Sequence, residues 1–151
     1  MATESEARHV FEAWHAALMR RDLDALSLLY TQDALFESPA VRILLGEESG
    51  LLRGRTAIHD YFLGSFTATL GKQATDWYRD GTFLHAGDTL VWEYPRRAPA
   101  GDQNEAVEWI VLKDGLIAHH RVYWGWNGLR NLQATRAIAR GMTQSHSDSS
   151  E

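Results

Sequence analysis

The stretch that most restricts how this chain can fold is Glu105-Ala-Val-Glu-Trp-Ile-Val-Leu-Lys-Asp-Gly-Leu-Ile-Ala-His-His-Arg-Val-Tyr-Trp-Gly-Trp126. Two runs rich in β-branched and aromatic residues flank Lys113-Asp114-Gly115, whose glycine can take the positive φ of a bulged three-residue loop. The pattern predicts an antiparallel hairpin in which Leu112 faces Leu116 and Glu108 lies directly opposite His120. One face then carries Glu108, Ile110, Leu112, Ala118, His120, Val122 and Trp124. The other carries Trp109, Val111, Ile117, His119, Arg121 and Tyr123. Both faces are substantially apolar, whereas an antiparallel sheet in a monomer normally keeps one face polar. A second copy of the chain, packed on the face with Trp109 and Tyr123, is the simplest cover.

Upstream, apolar residues Val10, Phe11, Trp14, Ala17 and Leu18 recur at spacings of three and four, predicting an amphipathic helix over Glu4 to Arg20. Asp22 is a good N-cap for a short second helix running to Tyr30. A short strand over Ala34 to Ser38 is stopped by Pro39. Pro39 to Gly54 reads as a loop, and its leucines Leu44, Leu45, Leu51 and Leu52 fit a lid or wall over a site. A third helix, about Thr56 to Thr69, should bury Ile58, Phe62 and Phe66; Arg53 and Arg55 before it are either an anion holder or a solvated helix start. Strands then follow over about Thr75–Leu84, Thr89–Arg97, Gln103–Leu112 and Leu116–Trp126, with a short helix expected over Asn127–Arg140. Helices first and strands after them is the α+β pattern, with helices on one face of a curved antiparallel sheet. Residues 1–142 read as one domain, and the Ser- and Asp-rich 143–151 as a disordered tail.

Composition narrows the function classes. A formal charge of −5 over 151 residues lacks the basic footprint that nucleic acid requires. No apolar window is long enough to span a bilayer, no signal peptide is visible, and the absence of cysteine fits a reducing cytoplasm. His119 and His120 look like a metal pair, but neighbouring strand residues point to opposite faces, and no other metal-ligand spacing is present. Neither a metal nor a cofactor is expected.

Four segments in order, Arg-Asp-Leu-Asp-Ala-Leu-Ser-Leu-Leu-Tyr30, Asp33-Ala-Leu-Phe-Glu-Ser-Pro39, Gly54-Arg-Thr-Ala-Ile-His-Asp-Tyr-Phe62 and Lys113-Asp-Gly-Leu-Ile117, resemble the SnoaL-like and ketosteroid-isomerase-like group of the nuclear-transport-factor-like superfamily. The resemblance covers roughly residues 5 to 126. It implies a cone in which a bent sheet wraps around the N-terminal helices, with an internal apolar pocket and dimerisation through the sheet. The family hosts isomerases, cyclases, dehydratases, hydrolases and non-catalytic binding domains, so the fold leaves the activity open. Trp14 and Ser38 stand where ketosteroid isomerases keep an oxyanion-hole tyrosine and the general-base aspartate, so the chain is not a standard ketosteroid isomerase. Glu108 matches the position of their protonated acid. The segment Arg121 to Trp126 lacks the acid that cyclases and epoxide hydrolases often keep there.

On the pocket face the resemblance places Glu108 and His120 beside Val122 and Trp124, with Trp14, Phe36, Ser38 and Phe62 approaching from the helices and first strand. Desolvation favours a neutral carboxyl and an adjacent imidazolium favours a charged one, so the couple suits acid–base work. Either His120 is the base and Glu108 orients it, or Glu108 is the base and His120 the donor. Glu93, between Trp92 and Tyr94, is either a second pocket acid or an edge or interface charge. The expected ligand is a small apolar molecule, cyclic or polyketide-like. The chain is read as a cofactor-independent isomerase, cyclase, dehydratase or hydrolase, or alternatively as a ligand-binding or dimeric accessory module without turnover.

Overall fold

The computed structural model describes residues 1–67, 77–95 and 105–134. In chain order the elements are α1 (Glu4–Arg20), α2 (Leu23–Leu28), β1 (Tyr30–Glu37), α3 (Pro39–Leu45), β2 (Leu51–Arg53), α4 (Arg55–Thr67), β3 (Leu84–Ala86), β4 (Thr89–Tyr94), β5 (Ala106–Lys113) and β6 (Leu116–Trp124). Residues 126–134 form a further helix, α5. The six strands make one curved, unclosed sheet in the order β2-β1-β6-β5-β4-β3. All neighbours are antiparallel except β1 and β6, which run parallel. Among the described residues no helix is long and apolar enough to cross a membrane. The expected burial of Phe66, the start of the strand at Thr75, the ends of the strands at Arg97 and Gln103, most of the helix to Arg140 and the tail 143–151 lie outside the described residues.

Helix α1 has the bounds its periodicity predicts. Thr3 and Glu6 form a reciprocal capping box at its start, and Arg21 closes it in the left-handed conformation. Its inner stripe, Ala7, Val10, Trp14, Ala17 and Leu18, is buried in the hollow of the sheet. Burying each larger aliphatic side chain of such a stripe is worth roughly 1.5–3 kcal/mol.

Two segments depart from the sequence reading. Tyr30 does not end the second helix; it begins β1. The peptide there is held on both sides, since Ile117 N–H donates to the Leu29 carbonyl at 2.8 Å and the Arg55 guanidinium donates to the Tyr30 carbonyl through Nε at 2.8 Å and through Nη2. Arg55 therefore closes a strand start, a role neither expected alternative included. The stretch from Pro39 to Gly54 is not a loop throughout. Ser38 caps α3, Pro39 occupies its first turn, and Gly46 ends it at φ 77°. The same proline that stops one strand is preorganised to start a helix. Gly50, at φ +65°, lets its backbone lie against β1, where Ser38 N–H donates to the Gly50 carbonyl at 2.9 Å; an added Cβ would sit 3.0 Å from the Ser38 carbonyl oxygen. Residues 77–83 carry no regular structure, so the strand expected to end at Leu84 begins there instead.

The closing hairpin also differs in register. Asp114 and Gly115 both have positive φ, 53° and 74°, which makes a two-residue turn of the mirror-image type that matches strand twist. Lys113 therefore pairs with Leu116, shifting the register by one residue, and an extra residue at Ala118 shifts it by one more. The two shifts restore the original parity beyond the bulge. Glu108 pairs with Val122 and Ile110 with His120, so Glu108 and His120 are diagonal neighbours on one face, not directly opposed. Before the bulge the face changes: Ile117, expected outside, is fully buried beside Leu112. On the outer face Trp109 and Tyr123 are 40% and 54% exposed.

Candidate functional site

The hollow of the cone lies between α1, α3, α4 and α5 on the helical side and β1, β4, β5 and β6 on the sheet side. It contains a cavity of about 90 Å³ lined chiefly by rings: Trp14, Phe36, Tyr61, Phe62, Trp77, Tyr94 and Trp124. Leu18, Ala40, Leu44, Val122 and Leu132 complete the apolar wall, and Ser38, Ser65, Glu108 and His120 add polar groups. Strand alternation explains the inward set, because Trp92 and Tyr94 on β4, Glu108 and Ile110 on β5, and His120 and Val122 on β6 are all buried.

At the floor of the cavity, His120 Nε2 lies 2.5 Å from Glu108 Oε2. The His120 side chain is fully buried and that of Glu108 is 7% exposed. On the far side of the imidazole, Tyr30 Oη is 2.7 Å from Nδ1, and Trp14 Nε1–H donates to Tyr30 Oη at 3.3 Å. Phe36 meets the imidazole edge to face, with centroids 5.0 Å apart at 88°. Burial pushes the Tyr30 phenol well above its ordinary value, so it stays protonated and has one O–H to donate. One arrangement gives every proton of this line an acceptor: Trp14 N–H to Tyr30 Oη, Tyr30 O–H to His120 Nδ1, and His120 Nε2–H to an ionised Glu108. With the proton on Nδ1, the buried Tyr30 hydroxyl would accept twice and have nowhere to donate, which is costly. The hydrogen-bond network thus assigns a neutral imidazole and a carboxylate. Among the described residues Glu108 Oε1 carries no hydrogen bond, and Glu108 lines the cavity.

A second polar cluster sits at the Ser38 end. Ser38 Oγ accepts from Ala40 N–H at 3.1 Å, which is its helix-capping bond, and from Trp124 Nε1–H at 3.0 Å, which fixes that indole as a wall. Tyr61 is also pushed up by burial.

Of the side chains expected at the site, Trp14, Phe36, Ser38, Phe62, Val122 and Trp124 line the same cavity as Glu108 and His120. Glu93 does not. It is exposed, because burial of its strand neighbours Trp92 and Tyr94 turns it to the outer face. His119, also outward, is 2.5 Å from Glu37 Oε1, so the two adjacent histidines serve opposite faces. Among the described residues no cluster of three or more His, Cys, Asp or Glu side chains could hold a metal ion. Sequence reasoning missed Tyr30, Tyr61, Trp77 and Tyr94. Tyr61 was accessible to it, three residues after Ile58 on the same helix; Tyr30 was hidden by its regular spacing from Leu23 and Leu26.

His15 belongs to a similar line one layer away. Its Nδ1–H donates to the Phe11 carbonyl at 2.8 Å, its Nε2 is 3.3 Å from Tyr94 Oη, and Trp92 Nε1–H donates to that hydroxyl at 3.1 Å. Burial lowers the His15 value, opposed by the Phe11 carbonyl, assisted by the charge of Arg79 and opposed again by Glu108. A folded value below the unfolded one means that the unfolded chain binds more protons, so stability rises with pH in that window. The His15 contribution is complete above about pH 6.5 and is lost as pH falls from there through the folded value. Urea titrations between pH 7.5 and 5 should show this decline, and His15→Gln should flatten part of it. An unchanged slope in the variant would contradict the assignment.

With this geometry in place, a family model described as a SnoaL-like domain matches residues 11–120. A SnoaL-like protein of unknown function from Burkholderia thailandensis has a TM-score of 0.65 at 20% identity, covering 82% of this chain and 97% of that one. A steroid delta-isomerase from Pseudomonas aeruginosa has a TM-score of 0.60 at 20% identity, covering 96% and 98%. An NTF-2-like protein of unknown function from Burkholderia xenovorans has a TM-score of 0.56 at 22% identity, covering 81% and 84%. No curated protein matches the sequence. At such identities the structural likeness is one of fold.

Proposed function

We propose that this chain, which belongs to the SnoaL-like domain family, binds a compact molecule in its aromatic cavity and moves a proton on it with Glu108 as base. The observation that carries this reading is the buried carboxylate and imidazole 2.5 Å apart on the wall of a mostly apolar cavity. It also favours one of the two expected role assignments. Both nitrogens of His120 are engaged, Nδ1 by Tyr30 and Nε2 by Glu108, so the imidazole has no lone pair to offer a ligand. Glu108 Oε1 does. In this reading Oε1 takes a proton from an acidic C–H or O–H of the ligand, the His120 Nε2–H bond to Oε2 holds the carboxylate in place, and return of the proton at a second position completes a tautomerisation or isomerisation.

Cavity size bears on the ligand. About 90 Å³ is below the ~300 Å³ or more of drug-sized pockets and nearer to an engineered cavity of ~150 Å³ that takes benzene. A small branched aliphatic body suits that space; a ring of benzene's size or larger would need the walls to move. A binding module without turnover is the second reading, favoured by the completeness of the bonds around His120.

The test begins with mass spectrometry of whatever co-purifies with the protein, followed by incubation of that compound in deuterated water. Wild-type protein should introduce deuterium at the acidic position at least about 10²-fold faster than Glu108→Gln, which keeps the acceptor for His120. Equal rates would contradict the catalytic role, and retention of the compound without exchange would support the binding module.

The partner on the outer face is also a proposal, a second copy of this chain. The patch around exposed Trp109 and Tyr123 carries Glu37 within 4 Å of both His119 and Arg121, so acid and base lie together and a two-fold axis can make it self-complementary. Light scattering should give twice the mass of 17.1 kDa, falling to one copy in Trp109→Asp/Tyr123→Asp. A wild-type monomer would contradict it.

A further inference from the structure

The chemistry of the occupant follows from a proton count at the cavity floor. Tyr30 O–H occupies His120 Nδ1, so the single remaining imidazole proton lies between Nε2 and Glu108 Oε2. The couple therefore carries one net negative charge. A buried charge without a partner is strongly unfavourable. The lining side chains include no lysine or arginine. The guanidinium of Arg79 packs over the Tyr94 ring, 5.2 Å from its centroid, and donates to the Trp77 carbonyl, but it is not among the groups that line the space.

The walls are suited to a positive charge. Trp77, Tyr94 and Trp124 all line the cavity, with Trp77 edge to face 5.9 Å from Trp124 at 85° and 5.2 Å from Tyr94 at 64°. Ring faces arranged around a small volume attract cations, most effectively when water is excluded. The field of the carboxylate reaches across the space: after burial, the Glu108 charge is among the causes that raise Tyr30, Tyr61 and Tyr94.

Resting on the reading of this cavity as a small-molecule site, we infer that its ligand is a compact organic cation, a protonated tertiary amine or a quaternary ammonium with short alkyl groups, held between Glu108 Oε1 and the rings of Trp77, Tyr94 and Trp124. The small volume selects against long chains, and the rings select alkylated nitrogen over a hydrated ammonium.

Calorimetry with tetramethylammonium and the smaller dimethylammonium, against tert-butyl alcohol as a neutral body of similar shape, tests this. The indole N–H signals of Trp14 and Trp124 report whether the cavity is entered. Wild-type protein should bind at least one of the cations about tenfold more tightly than the alcohol, and Glu108→Gln should remove that advantage. Equal affinity for alcohol and cations overturns the cation inference and leaves the small-molecule cavity standing. A cation preference that survives in Glu108→Gln overturns the assignment of the charge to Glu108. If no probe shifts the Trp14 or Trp124 signals, the cavity reading itself fails.

Discussion

The 2.7 Å contact between Tyr30 Oη and His120 Nδ1 decides what the centre of this cone can be. It joins the first strand to the last across the parallel β1–β6 pair, so the same contact that closes the fold also fixes the imidazole. With Nδ1 occupied, His120 can only donate from Nε2, and the recipient 2.5 Å away is Glu108. Trp14 anchors the other end of the line from α1. Helix, first strand and closing hairpin thus meet in one chain of hydrogen bonds that runs from Trp14 to Glu108 Oε2. Removing a middle member would leave two buried groups unpaired, at a cost of about 1–3 kcal/mol each.

That line is embedded in a core made almost entirely of rings and aliphatic groups, and the contrast between them gives the site its character. Phe36, Trp14 and Tyr30 surround the imidazole and exclude water from it, which strengthens every electrostatic interaction in the cavity. The carboxylate lines the cavity, and only its Oε2 is hydrogen-bonded among the described residues. A fold that only needed a filled core would gain more from an apolar residue at position 108, since a buried charge is weak evidence for stability. The polar floor is better explained by what it can hold or do.

Much of the fold was legible because it rests on local patterns. The stripe of α1 and the strand alternation of β4 to β6 are read directly from apolar spacing. The face shared by Glu108 and His120 survived a wrong register because the Asp114-Gly115 turn and the Ala118 bulge each shift pairing by one residue and together preserve parity. What could not be read depended on contacts distant in sequence. Tyr30 continues the helical spacing of α2, and only Ile117 and Arg55, far along the chain, make it a strand residue. The outward turn of Glu93 was implied by the alternation of its neighbours once Trp92 and Tyr94 were both inside. The Ser38-Pro39 start of α3 was visible as a capping signal but competed with the reading of proline as a stop.

The family places the chain on a fold that serves many chemistries, so the protonation pattern at its floor says more about function than the fold does. Nitrogen-15 NMR of the His120 ring measures that pattern directly, since protonated and lone-pair nitrogens resonate far apart. In wild-type protein without ligand at pH 7, the ring should be neutral with the proton on Nε2 and a lone pair on Nδ1. A ring protonated on both nitrogens, or on Nδ1 alone, would contradict it.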